Sequence, residues 1–269
     1  MTGVIGDRAA LVRRYLEGLG RLGTSAVILE TLTRDDALSL AAGPRGRTSP
    51  SVEDTPAGPA PSIEDTPAGP APSSGAAPSI EEAPDLATLE RLVAACTRCP
   101  LHETRKSPVF GEGAPDARVV CVGEAPGARE DETGRPFVGR AGKLLDRLLL
   151  TIGLARESVY ICNVLKSRPP HNRDPLPGEV EACSPYLLRQ LALIRPEVIV
   201  AFGAYAARTL LESKAALGRM RGRVHSYAGY PLVVTYHPAA LLRNPGWTRP
   251  TWEDLQIVRA LLDGERAHG

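Results

Sequence analysis

The sequence predicts an α/β fold, a three-layer sandwich in which helices flank a central four-stranded parallel sheet. Short apolar runs rich in β-branched residues predict strands at 119–122, 159–164, 198–202 and 232–236. Segments with helical spacing of apolar residues separate these runs, near 139–152, 179–194, 204–212 and 252–263. Strands that alternate with helices are typical of a parallel sheet covered on both faces, and such folds carry their functional site beyond the carboxyl ends of the strands.

Two segments precede this domain, which we place at 85–265. Residues 1–43 predict a short helical segment, because Ala10, Leu11, Tyr15 and Leu19 share one helical face. Residues 44–84 contain ten of the 25 prolines and an internal repeat, SVEDTPAGPAP followed by SIEDTPAGPAP, which predicts a disordered linker. Such a tether would let the N-terminal segment find a protein partner while the domain works elsewhere. An extension without a function of its own is the open alternative.

The charge is distributed unevenly along the chain. From Cys96 to the C-terminus there are 24 Lys and Arg against 18 Asp and Glu, whereas the first 95 residues carry 8 against 13. A basic domain suits a polyanionic partner such as nucleic acid. No apolar run is long enough to span a membrane and no secretory leader is present, so we expect a cytoplasmic protein of bacterial type, without a membrane partner.

Five cysteines, an odd number, favour metal binding or buried thiols over disulfides in a reducing compartment. Cys96 and Cys99 form a Cys-x-x-Cys pair, which alone fits zinc or an iron–sulfur cluster. Cys121 and Cys162 fall inside predicted strands, where a buried thiol without a metal is expected.

Candidate functional residues follow the predicted strands. The first strand runs into a glycine-bracketed turn with acidic residues, GEAPGARED at 123–131, which is neither a P-loop nor a dinucleotide fingerprint. The second strand ends at Asn163, the third at Gly203 and the fourth at His237. Gly203 is expected only to turn the chain, whereas a histidine that leads into leucines and an arginine suggests a binding or catalytic role.

Several ordered motifs together resemble the uracil-DNA glycosylase superfamily, and most closely its iron–sulfur branch, family four. The motifs are the Cys-x-x-Cys pair, GEAPGAREDETGRPFVGRAG (123–142), NVLKSRPPHNRDP (163–175), Cys183 and HPAALLRNP (237–245). The resemblance covers about residues 95–262. It implies a base-excision repair enzyme that hydrolyses the N-glycosidic bond of deoxyuridine in U:G, U:A or single-stranded DNA and leaves an abasic site. We expect this enzyme to be a monomer and to be monofunctional, because no lysine lies in the pocket motifs and Lys166 is the nearest.

The resemblance also implies roles for individual residues. Phe137 would stack on the extruded uracil, and the Asn163 amide would read its polar edge. His237 would donate a hydrogen bond to uracil O2, where negative charge develops in the transition state. Glu124 is expected to position the water and Glu130 to shape the pocket near uracil C5, with Asn172 assisting; either acid could instead stabilise the loop.

The HPAALLRNP segment would engage the duplex. Leu241 is expected to be the wedge that fills the gap left by the flipped base, and Arg243 to bind phosphate. A position in the protein core is the alternative for these two leucines, and it suits Leu242 better than Leu241.

For the metal, the resemblance implies a [4Fe–4S] cluster bound by Cys96, Cys99 and Cys183. The family pattern has a fourth cysteine after the lysine of the NVLK segment, where this chain has Ser167. Serine offers a hard hydroxyl in place of a soft thiolate, so the cluster is expected to be incomplete or more labile.

Two rival functions stay open at this stage. A related branch traps uracil DNA covalently through a histidine in the loop after the second strand, and His171 lies in that loop, although the longer basic insertion of that branch is missing. A non-catalytic nucleic-acid-binding module is the other rival, but such a module would need none of Phe137, Asn163 and His237.

Overall fold

The computed structural model describes residues 78–264, so the expected helical segment and most of the expected linker lie outside the described residues. The end of that linker is ordered, which corrects the boundary placed at residue 84. Ile80 and Ala83 are buried in the core, and the Ala83 carbonyl accepts two hydrogen bonds from the guanidinium of Arg189. The domain therefore begins at or before Ile80, because these residues are part of its packing.

Six strands form one sheet. In chain order they are β1 Glu112–Gly113, β2 Val119–Gly123, β3 Tyr160–Asn163, β4 Val198–Phe202, β5 Val224–Tyr227 and β6 Tyr230–Thr235. The order across the sheet is β1-β3-β2-β4-β6-β5, and the central four strands are parallel. These four are the predicted strands, so the parallel core of the sheet is confirmed.

The two edge strands were not predicted. Both pair antiparallel with their neighbours, β1 with β3 and β5 with β6. A two-residue strand is too short to show any alternation, and the sequence VHSY of β5 is too polar to stand out. Ala228 and Gly229 connect β5 to β6, and both have positive φ, as a tight hairpin turn requires.

Helices cover both faces of the sheet. They are α1 Leu86–Ala94, α2 Leu101–Thr104, α3 Ala128–Thr133, α4 Arg140–Leu150, α5 Pro177–Ile194, α6 Ala204–Leu210, α7 Leu217–Met220, α8 Pro238–Leu241 and α9 Thr248–Leu262. One core lies between the sheet and α1, α5 and α6, and the other between the sheet and α4 and α9. Alternate residues of β2 enter opposite cores, Val120 and Val122 the first, Val119 and Cys121 the second. The predicted three-layer arrangement is confirmed.

Within residues 78–264, the structure contains no helix with the length and apolar character needed to cross a bilayer.

Candidate active site and cysteine pocket

The carboxyl ends of the four parallel strands open into a cleft of about 620 Å³. Seven of the residues expected to form the site line this cleft: Glu124, Glu130, Phe137, Asn163, Asn172, His237 and Arg243. They come from three separate stretches of chain, and the parallel sheet brings them together because all of its central strands end on the same side.

Gly123, the last residue of β2, allows the side chains of Phe137 and Asn163 to meet. A Cβ at this position would lie 2.7 Å from Phe137 Cζ and would overlap Asn163 Oδ1. Asn163 is itself paired with Gly123 in the sheet register and is only 2% exposed. The aromatic face and the amide thus share one end of the cleft because residue 123 has no side chain.

His237 lies beside the aromatic ring as a neutral imidazole. The two ring centroids of His237 and Phe137 are 5.4 Å apart, with 27° between the planes. His237 Nδ1 accepts a hydrogen bond from the backbone N–H of Ala239 at 3.1 Å, as the N-cap of α8. Burial, and then the charge of Arg243, lower the pKa of His237 to about 4. Since Nδ1 is an acceptor, the single proton of the neutral ring resides on Nε2, which is therefore a donor.

Glu124 and Glu130, which both line the cleft, have different environments. Burial, and then the nearby charge of Asp174, raise the pKa of Glu124 to about 7, so this carboxyl can exchange a proton near neutrality. Glu130 is held by the backbone instead. Its Oε1 accepts hydrogen bonds from the N–H groups of Val138 at 2.9 Å and Gly139 at 3.2 Å, where α4 begins. Glu130 lines the cleft and also fixes the loop that contains the aromatic ring.

The segment HPAALLRNP (237–245) differs from the expectation. Leu241 is 3% exposed and packs in the core between the sheet and α4, whereas Leu242 is 38% exposed. The expectation that Leu241 projects is therefore wrong, and the alternative of a core position applies to Leu241 rather than to Leu242. The short helix α8 sets this phase, because Leu241 is its last residue on the inner side and Leu242 is the C-cap that turns outward.

Sequence reasoning missed four polar residues of the cleft, Arg173, Asp174, Tyr205 and Arg208. Asp174 lies within the motif that follows β3, so its proximity to Glu124 could have been anticipated. Tyr205 and Arg208 are on α6, whose N-cap Gly203 directly follows β4 and was expected only to turn the chain. Functional residues of such folds lie beyond the carboxyl ends of the strands, and this applies to β4 as well, so these two residues could have been predicted. Tyr205 donates to the Pro175 carbonyl at 2.8 Å and so joins α6 to the loop after β3.

The remaining expected residues line a second pocket. Cys96, Cys99, Cys183 and Ser167 all border it. Ser167 Oγ accepts a hydrogen bond from Arg105 Nη1 at 2.9 Å, and Cys183 Sγ accepts one from the N–H of Lys166 at 3.2 Å.

Within residues 78–264, no three His, Cys, Asp or Glu side chains converge closely enough to bind one metal ion. The ligands of a cluster bind different irons and surround a pocket, and here three thiols and a hydroxyl border one pocket. Burial raises the pKa of Cys183 to about 11, so a thiolate there would require a metal at neutral pH. Cys121 and Cys162, in contrast, are fully buried within β2 and β3, as expected.

Comparison with known families agrees with the geometry of the cleft. The sequence pattern of the Uracil DNA glycosylase superfamily matches residues 110–256, which include every residue lining the cleft. The chain belongs to the uracil-DNA glycosylase superfamily. It is 48% identical over 174 residues to the Type-4 uracil-DNA glycosylase of Thermotoga maritima, covering 63% of this chain and 91% of that relative.

Two superfamily members from Pyrobaculum aerophilum show which branch this chain resembles more. The Type-4 uracil-DNA glycosylase is 46% identical over 181 residues, which is 64% of this chain and 92% of the relative. The Type-5 uracil-DNA glycosylase is 34% identical over 203 residues, 62% of this chain and 88% of that relative. The resemblance to the Type-4 branch is therefore the stronger of the two.

The covalent-trapping rival within this superfamily gains no support from the position of His171. This histidine is exposed, and it is not among the residues that line the cleft. It lies in the short turn Pro170–Asn172 with a left-handed φ of 55°, whereas its neighbour Asn172 reaches the cleft. Asn172 Oδ1 accepts a hydrogen bond from Arg168 Nε at 2.7 Å, which fixes the orientation of the amide.

Proposed function

We propose that this protein is a monofunctional uracil-DNA glycosylase, which hydrolyses the N-glycosidic bond of deoxyuridine in DNA and leaves an abasic site. The observation that carries the proposal is the neutral His237 beside the ring of Phe137, with its Nδ1 occupied by a backbone N–H. The single proton of the imidazole is therefore on Nε2, which can donate a hydrogen bond to the uracil as negative charge develops on it.

Recognition starts with a uracil flipped out of the duplex, which costs a few kcal/mol of unstacking and unpairing. Phe137 offers an aromatic face within the cleft, edge-on to Phe202 at 6.5 Å between ring centroids. The Asn163 amide offers an acceptor for uracil N3–H and a donor for O4. Cytosine presents the opposite pattern at these two positions, so one amide distinguishes the two bases.

The bond between C1′ and N1 breaks with its electron pair leaving on uracil, so that negative charge collects on O2 and positive charge on the sugar. His237 Nε2–H donates to O2 without losing its proton, and one such donor is worth about 10²–10³ in rate. Glu124, ionised above about pH 7, orients a water towards C1′ and accepts its proton. The hydroxyl stays on the sugar and the uracil anion leaves.

Monofunctional chemistry agrees with the position of the lysines. No lysine lines the cleft among the residues that the structure describes, so no amine is placed to attack C1′. Lys166, the nearest in sequence to the site, is buried, and its Nζ donates to the Asn163 carbonyl at 2.8 Å and to Gln190 Oε1 at 2.6 Å.

Contact with the duplex is assigned to Leu242 and Arg243. Leu242 is the exposed leucine next to the cleft and can fill the gap that a flipped base leaves in the stack. Arg243 is exposed at the rim of the same cleft and can pair with a phosphate.

The deciding experiment is a gel assay on an oligonucleotide with one uracil, placed in U:G, U:A and single-stranded contexts. We expect strand breaks only after alkali, and we expect His237→Gln to lower the single-turnover rate by about 10²-fold. Lys214→Gln, on the surface, is the matched control for preparation and folding. No excision in any context would refute the proposal, and strand cleavage without alkali would refute its monofunctional part.

We also propose that Cys96, Cys99 and Cys183 hold an iron–sulfur cluster, with Ser167 at the position of the fourth ligand. A cluster there would be structural, since hydrolysis transfers no electrons. Anaerobically purified protein should be brown, and Ser167→Cys should slow the loss of iron to air and chelators, measured by visible absorbance and iron content. Ser158→Cys, an exposed thiol away from the pocket, is the control. Zinc in place of iron would refute this assignment.

We also propose a cytoplasmic location for this protein. Five free cysteines suit a reducing cytosol, where a repair enzyme meets DNA. We propose a monomer in solution, with a partner protein for residues 1–43.

A further inference from the structure

The backbone around the aromatic ring is in a costly conformation. Phe137 has a φ of 51°, in the left-handed region that residues with a Cβ rarely adopt. Such a conformation persists only when neighbouring groups hold it, and it is often found at functional sites. The ring of this residue is the stacking surface in the proposed function, so whatever holds the backbone also places the ring.

Arg156 holds the carbonyl side of this segment. It lies in a 3-10 turn, Arg156–Ser158, just before β3. Its Nη2 donates to the Pro136 carbonyl at 2.6 Å and its Nη1 to the Phe137 carbonyl at 3.2 Å. The same guanidinium pairs with Glu112 and Asp146, each at 2.9 Å, and only 16% of the side chain is exposed.

Glu130 holds the amide side, through the N–H groups of Val138 and Gly139. Two carbonyls and two N–H groups in four consecutive residues are therefore fixed by one cation and one anion from separate parts of the chain. A side chain at Gly142 would overlap the Phe137 carbonyl, so α4 closes the third side.

We propose that Arg156 is a positioning residue for excision, which acts on the reaction only through the placement of the Phe137 ring. This inference rests on the proposed function. Arg156 does not line the cleft, so a contact with the base is not its role. A planar guanidinium can reach both carbonyls and both carboxylates at once, and the point charge of a lysine cannot.

The structure supplies a matched control. Arg135 also binds Glu112, with its Nε 2.7 Å from Oε2, but its side chain is 62% exposed and no hydrogen bond joins it to the Pro136 or Phe137 carbonyl. Arg135→Gln therefore removes a salt bridge to the same carboxylate without releasing the aromatic segment.

The test combines kinetics with a direct view of the ring. Arg156→Gln should lower the single-turnover excision rate by roughly 10–100-fold, since misplacement by about 1 Å can cost about 10²-fold. Arg135→Gln should stay within about twofold. In a Phe137→Leu background, Arg156→Gln should have almost no further effect on rate, although it should still lower the melting temperature. Arg156→Lys serves if the Gln variant does not fold, and it should show the same dependence on Phe137.

The ring can be observed without activity, because the chain has only three phenylalanines. After 4-fluorophenylalanine labelling, the ¹⁹F resonance that disappears in Phe137→Leu should shift or broaden in the Arg156 variants and not in Arg135→Gln. Equal rate losses in both backgrounds, an unchanged Phe137 resonance, or an Arg135→Gln loss as large as that of Arg156→Gln would overturn the proposal. If the wild-type protein does not excise uracil but the expected resonance changes occur, the proposed function is refuted, while the placement of the Phe137 ring by Arg156 is still supported.

Discussion

A single methyl group added at Gly123 should move the Phe137 ring away from the Asn163 amide, the two groups that recognise the base in the proposed function. The φ of Gly123 lies outside the left-handed region, so alanine fits the backbone, and the strand itself should not weaken. The new Cβ would lie 2.7 Å from Phe137 Cζ and 2.8 Å from Cε2. Carbon atoms without a bond approach to about 3.5 Å, so the ring must retreat by about 0.8 Å.

A displacement of about 1 Å in a positioned group can cost about 10²-fold in rate, so we expect Gly123→Ala to lower single-turnover uracil excision by roughly that factor. The control is Gly178→Ala in the first turn of α5, where an added Cβ meets no atom within 4 Å. Both variants are measured on the same uracil oligonucleotide, with melting temperatures in parallel. If Gly123→Ala excises uracil as fast as Gly178→Ala, the ring and the amide do not form the recognition site.

Three further predictions concern the cleft and the residue behind it. The excision rate should rise as the pH increases through about 7, because the raised pKa keeps Glu124 protonated below that value; His237, with a pKa of about 4, stays neutral throughout. The excision rate of Glu124→Gln should be low and should not change between about pH 5.5 and 9. If its rate still rises with pH, the titration belongs to another group. Asn163→Asp should lose most uracil excision and gain activity on cytosine, measured on matched oligonucleotides; unchanged uracil excision would show that another group reads the base. Lys166→Met should lower the free energy of unfolding in urea by about 1–3 kcal/mol, because it leaves the Asn163 carbonyl without its buried donor. Lys143→Met on the surface of α4 should change it by less than about 0.5 kcal/mol, and equal effects would argue against the buried network.

The central sheet was predictable because each of its parallel strands is buried on both faces and therefore reads as a continuous apolar run. The cleft followed from the same pattern, since its residues stand directly after those runs. The proton on His237 was not predictable, because it depends on the backbone N–H of Ala239 and on burial. The phase of Leu241 and Leu242 was missed because a four-residue helix is too short to show a periodicity.

The role of Arg156 was hidden for a different reason. Its carbonyl partners lie 19 and 20 residues earlier in the chain, and nothing in the local sequence joins them. The end of the linker was misplaced because Ile80 and Ala83 join a core that includes α5, and Arg189 of α5, about a hundred residues further along, binds the Ala83 carbonyl. The composition of a segment indicates how well water solvates it. Whether the segment is buried depends on which distant part of the chain packs against it.

The short edge strand β1 has a consequence for the behaviour of the protein at high concentration. Glu112 and Gly113 are the whole of this strand, and the glycines on either side of Glu112 have φ values of 142° and 135°. An exposed sheet edge can recruit an identical edge from a second molecule and start an ordered aggregate. A border of two residues, bent away by glycine and carrying a carboxylate that is bound to Arg135 and Arg156, offers too few free backbone groups for such growth. On this side, the parallel sheet is protected from self-association by the brevity of its last strand.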